Sequence, residues 1–96
     1  MKQLRLSRRA RKHLADIAEY TLSVWSADQA GRYMSKLDDT VFMLRQTPFA
    51  GVKRGEVKRG YRAFPSGEHV IFYRVRGDVL EVVGILRRHM DAKRHL

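Results

Sequence analysis

The stretch GYRAFPSGEHVIFYRVRGDVLEVVGIL, residues 60–86, decides the fold. Its centre, HVIFYRVR (69–76), is rich in β-branched and aromatic residues, which suit a pleated surface. Apolar residues occupy both of its faces, so a central strand is expected. Gly77-Asp78 is a two-residue hairpin signal. VLEVVGIL (79–86) then returns as another apolar strand, and Gly84 inside it predicts a bulge or a close backbone approach. On the other side, Tyr61-Arg62-Ala63-Phe64 reads as a strand closed by Pro65-Ser66-Gly67.

Upstream the periodicity changes. Ala10, Leu14, Ile17, Thr21 and Val24/Trp25 recur at three- and four-residue spacing and share a helix face, with Trp25 expected as a core anchor. Arg8, Arg9, Arg11 and Lys12 load the first turns of that helix, where cations oppose the positive end of the helix dipole. Such a start is locally unfavourable and points to use rather than stability. Ser26-Ala27-Asp28-Gln29 has the S-x-x-Q form of a capping box. Behind it Ala30, Tyr33, Met34, Leu37, Val41 and Leu44 form a second apolar stripe. Pro48 ends that helix, because the residue before proline avoids the α region. The turn between the helices is short, so they form an antiparallel hairpin.

Three segments complete the chain. Residues 3–6 (QLRL) alternate and read as a first strand. Residues 48–60 (PFAGVKRGEVKRG) carry three Gly, one Pro and four bases and read as a loop. Met90 to Leu96 is a basic tail of one or two helical turns. The order is β-α-α-β-β-β in one domain, 1–96. That is α+β, a helix hairpin packed on one face of a mainly antiparallel sheet.

Composition narrows the function. The 96 residues hold 20 Lys+Arg, 10 Asp+Glu and no Cys, for a net charge of +10. Without Cys there are no disulfides, thiolate nucleophiles or Cys-based metal sites, and a reducing, cytoplasmic location is expected. No run of 18 apolar residues and no signal-peptide h-region occurs, so no membrane span is expected. At 44% hydrophobic the chain is too apolar for a disordered basic tail. The charge is uneven. Residues 1–12 carry six bases and no acid, 13–50 three bases and five acids, and 51–96 eleven bases and five acids. A polyanion or an acidic polypeptide is the partner that this balance suits.

Catalytic signatures are thin. No serine sits in a G-x-S-x-G setting. His89, Asp91 and His95 match neither a helix-face pair nor a zinc signature, and GVKRGEVKRG lacks the G-K-[ST] of a P-loop. No metal or cofactor is expected. Metal-free RNA cleavage needs a base, an acid and cations for the phosphorane charge. Arg62, Arg74, Arg87, Arg88, His69 and His89 supply those residue types, although strand arginines are commonly no more than solvated charges. Tyr61, Phe64, Phe72 and Tyr73 are expected mostly in the core, with one or two flooring a groove where a partner helix docks.

These features resemble the ParE toxins of the RelE/ParE superfamily, the toxin halves of bacterial type II toxin–antitoxin pairs. The opening LRLSRRARKHLADI is similar to the family start. The segment from Gly60 to Leu96 is closer still, with Arg62, Ser66-Gly67, the V-I-F-Y-R strand of 70–74 and the His89-Met90-Asp91 tail. The superfamily divides by target. The RelE-like branch cuts messenger RNA in the ribosome with cations at places that here hold Tyr61, Ala63 and Val70. Each lost transition-state donor costs about 10²–10³ in rate. The resemblance therefore favours the ParE branch, which is associated with poisoning DNA gyrase. It implies a binding inhibitor without catalytic residues, which contacts gyrase and gyrase-bound DNA. It also implies neutralisation by a ParD-type antitoxin with a ribbon-helix-helix N-terminus and an acidic, apolar C-terminal segment. The partner-binding surface is assigned to Arg8, Arg9, Arg62, Phe64, Phe72, Arg74, Arg87, Arg88, His89 and Arg94. The alternative is a RelE-like, ribosome-dependent endoribonuclease using the C-terminal Arg and His residues. A third reading is a toxin-fold remnant that only binds its partner.

Overall fold

A computed structural model describes residues 1–96. The elements are β1 (Gln3–Leu6), α1 (Arg8–Val24), α2 (Ala27–Gln46), β2 (Val52–Lys53), β3 (Arg62–Ser66), β4 (His69–Arg76), β5 (Val79–Arg87) and α3 (Ala92–His95). The strands form one sheet in the order β1-β5-β4-β3-β2. Every pair is antiparallel except β1 with β5. The central strand is β4, flanked on both sides and apolar on both faces, as its composition requires.

Local chemistry sets the element ends. Ser7 accepts the Ala10 amide at 3.0 Å and starts α1. Ser26 accepts the Gln29 amide at 3.2 Å and starts α2. Only this half of the expected capping box forms; Gln29 does not return a bond to Ser26. The β3–β4 and β4–β5 hairpins turn on Gly67 (φ +60°) and Gly77 (φ +54°), a conformation that side chains with a Cβ resist. Pro65 lies within β3, opposite Val70, rather than ending the strand. It is tolerated because β2 pairs only with Arg62 and Ala63, so the position of its missing donor faces no partner.

Two expectations need correction. The segment 48–60 is not all loop, because Val52 and Lys53 pair with Ala63 and Arg62 as a two-residue edge strand. The segment is tied to the core from below: the buried Tyr73 hydroxyl donates to the Pro48 carbonyl and accepts the Gly51 amide, each at 2.8 Å. Trp25 is the C-cap of α1 and half-buried, outside both core clusters. Its ring lies 5.3 Å from that of Tyr33, tilted by 60°.

The sheet separates two cores. Between the sheet and the helix hairpin, Ala10, Ile17, Leu37, Leu44, Ile71, Tyr73, Leu80, Val82 and Ile85 are buried together. On the other face, Tyr61, Ala63, Phe72, Val83, Leu86 and Ala92 form a smaller cluster. A bulge makes this division possible. The β4–β5 register slips between Phe72 and Tyr73, leaving Val83 without a partner. Val82 and Ile85 then face the helices, while Val83 and Leu86 face away. Gly84 satisfies the second expectation as well: a Cβ there would collide with the Leu96 side chain, so the tail lies directly on the strand. No helix is long and apolar enough to cross a membrane.

Candidate functional site

The ten residues assigned to the partner surface fall into separate places. Arg8 and Arg9 are exposed at the start of α1. They border a surface cavity with Lys12, Tyr61 and Arg74. Ser7 holds this helix start on β5, its amide donating to the Val82 carbonyl at 3.0 Å and its hydroxyl to Val83 at 3.2 Å. Arg74 is not a free cation there, since its Nε donates to Glu81 Oε1 at 2.8 Å and both side chains are largely buried.

Arg62 lies on β3, next to the two-residue edge strand. It donates to the Gly51 carbonyl at 2.9 Å, and its guanidinium lies 5.0 Å from the centre of the exposed Phe49 ring. Phe64 packs half-buried against the helix-side core. Phe72 is 3% exposed, with the Arg54 guanidinium 5.4 Å above its ring. It is a core residue and offers a partner no surface. Arg94 is exposed on α3.

Arg87, Arg88 and His89 do come together. They border a cleft of about 450 Å³ between the second half of α1, the β3–β4 turn and the end of β5. Arg87 lies 4.6 Å over the ring of Tyr20, which is itself half exposed. This cation–π pair bridges α1 to the end of β5. Arg88 is anchored through its Nε to the Gly67 carbonyl at 2.9 Å, and its amide donates to the Glu68 carbonyl at 3.2 Å.

Beneath the cleft sits a polar hub that the sequence did not announce. Tyr33 accepts the Glu68 amide at 2.9 Å, and its hydroxyl lies 2.5 Å from His69 Nδ1. The Tyr33 hydroxyl also reaches the Ser66 carbonyl at 3.4 Å, so the Tyr33–His69 bond forms with either imidazole tautomer. Burial pushes the His69 pKa below its usual value, and the nearby Arg87 adds to the shift. Burial pushes the Tyr33 hydroxyl up. His69 is therefore neutral at neutral pH. His13 behaves similarly: its Nδ1 accepts the Ile85 amide at 3.1 Å, and burial, then Arg9, lowers its pKa. The bond caps β5 where β1 has ended. His13, His69, Tyr20 and Arg87 share a second, smaller cavity of about 250 Å³. Tyr20, Trp25, Tyr33 and His13 went unread in the sequence as site residues, because each fits a helix stripe or its edge equally well.

The places where RNA-cleaving relatives would carry cations have a clear fate. Tyr61 and Ala63 are 7% and 5% exposed, and Val70 packs against the same cluster. An unpaired cation buried there would be costly. No group of three or more metal-ligating side chains converges anywhere in the chain.

A further groove lies on the opposite side of the hairpin. Leu4, Leu6, Leu14, Val41 and Phe42 line about 220 Å³ between β1 and the two helices. Leu4 and Phe42 remain 41% and 48% exposed.

Known proteins share this architecture. A family model described as the ParE toxin of the type II toxin–antitoxin system, parDE, matches residues 4–92. The chain is 41% identical to a protein named Toxin ParE1 from Caulobacter vibrioides over 96 residues, covering all of this chain and 99% of that one. It is 36% identical to Toxin ParE1 of Mycobacterium tuberculosis over 92 residues, 95% of this chain and 94% of that one. Among solved structures, the fold is similar to one titled chromosomal ParDE TA system from P. aeruginosa. The TM-score is 0.77 at 21% identity, over 91% of this chain and 96% of that one. A YoeB/ParE toxin from Agrobacterium tumefaciens superposes with a TM-score of 0.60 at 25% identity, over 93% and 100%. Matched over nearly its whole length by the family model and by these relatives, the chain belongs to the ParE toxin family of type II toxin–antitoxin systems.

Proposed function

We propose that this toxin inhibits DNA gyrase by binding, in the cytoplasm, and is neutralised by direct contact with a ParD-type antitoxin. The observation that carries the inhibitor reading is the apolar cluster on the open face of the sheet. Tyr61 and Ala63 belong to it and Val70 packs against it, and phosphate cleavage in the RelE-like manner would need cations at those three places. An electrostatic transition-state site cannot be built from buried apolar side chains. The resemblance to the ParE branch supplies the target.

The surface suits the proposed antitoxin. Its acidic segment would be steered by the exposed bases of α1 and β5, and its apolar residues would anchor in the groove beside Leu4 and Phe42. Ordering such a segment on binding is the expected behaviour of an acidic chain with few anchors.

The deciding experiment incubates the pure protein with gyrase, ATP and supercoiled plasmid. Accumulation of cleaved plasmid, abolished by adding antitoxin, is the expected result. Cleaved messenger on translating ribosomes with gyrase unaffected would replace this reading with the endoribonuclease alternative. Neither activity would leave a remnant that only binds its antitoxin.

A further inference from the structure

The cleft at the end of β5 joins the assigned bases Arg87, Arg88 and His89 to aromatic and imidazole groups that the family reading does not use. It is recessed, about 450 Å³, which is within the size range of small-ligand sites. Three bases, Arg87, Arg88 and His89, stand on its rim against one acid, Glu68. Two aromatic rings, Tyr20 and Trp25, border it. The Tyr20 ring is already covered by Arg87, whereas Trp25 is half-buried and touches Tyr33 only at a tilt of 60°.

His69 supplies an independent sign of a ligand. It is 93% buried, its Nδ1 is paired with Tyr33, and its Nε2 has no protein hydrogen-bond partner. No buried side-chain nitrogen or oxygen in the chain is fully enclosed without a partner, so Nε2 must open to solvent. The cavities that His69 borders are this cleft and the adjoining one. A ring nitrogen open to these cavities is available to a ligand.

We propose that this cleft binds single-stranded nucleic acid, with one base stacked on Trp25, a phosphate held by Arg87 and Arg88, and His69 Nε2 hydrogen-bonding to the same nucleotide. Aromatic platforms beside cations are the general means of holding unpaired strands. An acidic peptide without apolar side chains would use the arginines and leave the rings idle. The site extends the toxin's chemistry beyond gyrase and antitoxin contact, and it stands or falls without either.

The test titrates the whole protein, without gyrase, with a 12-nucleotide oligodeoxythymidylate. Trp25 is the only tryptophan, so intrinsic fluorescence reports on the cleft itself. Saturable quenching is expected, with affinity falling as salt rises at a log–log slope of about −0.7 per phosphate engaged. R87Q/R88Q should bind about tenfold more weakly or worse, because charge-assisted phosphate contacts are lost. R32Q/K36Q, on exposed positions of α2, removes equal charge and should bind as the unaltered chain does. The imidazole NMR signals of His69 should shift in the unaltered protein, which requires no variant to fold.

Several results would overturn the site. They are no quenching, equal losses in both variants, equal binding of a duplex of the same length, or equal quenching by a 12-residue polyglutamate. Displacement by inorganic phosphate at matched concentration would reduce it to a bare anion site. Cleaved plasmid in the gyrase assay without oligonucleotide binding here would remove this cleft's role and leave the gyrase reading standing.

Discussion

The two faces of the sheet are covered very differently. One is closed by α1 and α2, of 17 and 20 residues, over nine mutually buried side chains. The other is closed by Tyr61, the four-residue α3 and Leu96, over six. The first cover is two amphipathic helices with their own caps. The second has little secondary structure of its own and depends on the sheet beneath it. Stability belongs to the first face. The second is filled with apolar side chains, Tyr61 and Ala63 among them.

Matched truncations break this comparison most directly. Leu37→Ala on the helix side, where Leu37 is 1% exposed, should lower the unfolding free energy by about 3–4 kcal/mol. Leu96→Ala on the open side should cost about 1 kcal/mol, because half-buried tail side chains bury less area. Urea unfolding of both variants measures the difference. Equal losses would mean that the open face is a second full core.

Tyr73→Phe sharpens it from the middle. Its hydroxyl holds the Pro48 carbonyl and the Gly51 amide, and burial keeps it protonated by raising its pKa. Deleting it leaves both backbone groups without that partner, for about 1–3 kcal/mol. Faster amide exchange at Gly51 should accompany the loss, since this bond ties the 48–51 segment to the helix-side core. Unchanged exchange there would show that the edge strand alone fixes the segment.

At the seam between the faces, His13 and His69 make stability depend on pH. Both have folded pKa values below 6.5, chiefly through burial. Between those values and 6.5 the unfolded chain binds more protons than the folded one, so stability rises with pH. The contribution is complete above about pH 6.5 and is lost as pH falls through the depressed values. Chemical unfolding at pH 7.5 and 5.5 should show lower stability at the acid point. His69→Gln should narrow that gap. Glu56, lowered by its Arg54 hydrogen bond, titrates below 4.5 and leaves this interval untouched. The smallest effect belongs to Gly84→Ala. The new Cβ displaces Leu96 rather than backbone, so trypsin cleavage at Lys93 and Arg94 should quicken while global stability falls by less than about 1 kcal/mol.

Much of the fold was legible because its signals are local. The stripe Ala30-Tyr33-Met34-Leu37-Val41-Leu44 and the cap at Ser26 specify α2 within a few turns of chain. Gly77-Asp78 specifies its hairpin within two residues. The candidate site was legible only in part. Arg87, Arg88 and His89 are adjacent in sequence and remain adjacent on the surface. Phe72 looked like any strand aromatic until Arg54 and the tail covered it. Arg74 looked free until Glu81 across the hairpin neutralised it.

By itself the sequence determined the order of the main elements, the central position of 69–76 and a strongly basic exterior. Periodicity, turn chemistry and charge each act over a few residues, and each is written directly in the chain. Only the tertiary structure decided that β1 runs parallel to β5, 76 residues away at Gln3 and Val79. The same holds for which apolar residues the bulge at Val83 sends to each core, and for the Tyr33–His69 pair across 36 residues. Such pairings depend on loop closure and on competition for the same buried space, and no local pattern encodes which distant partner wins.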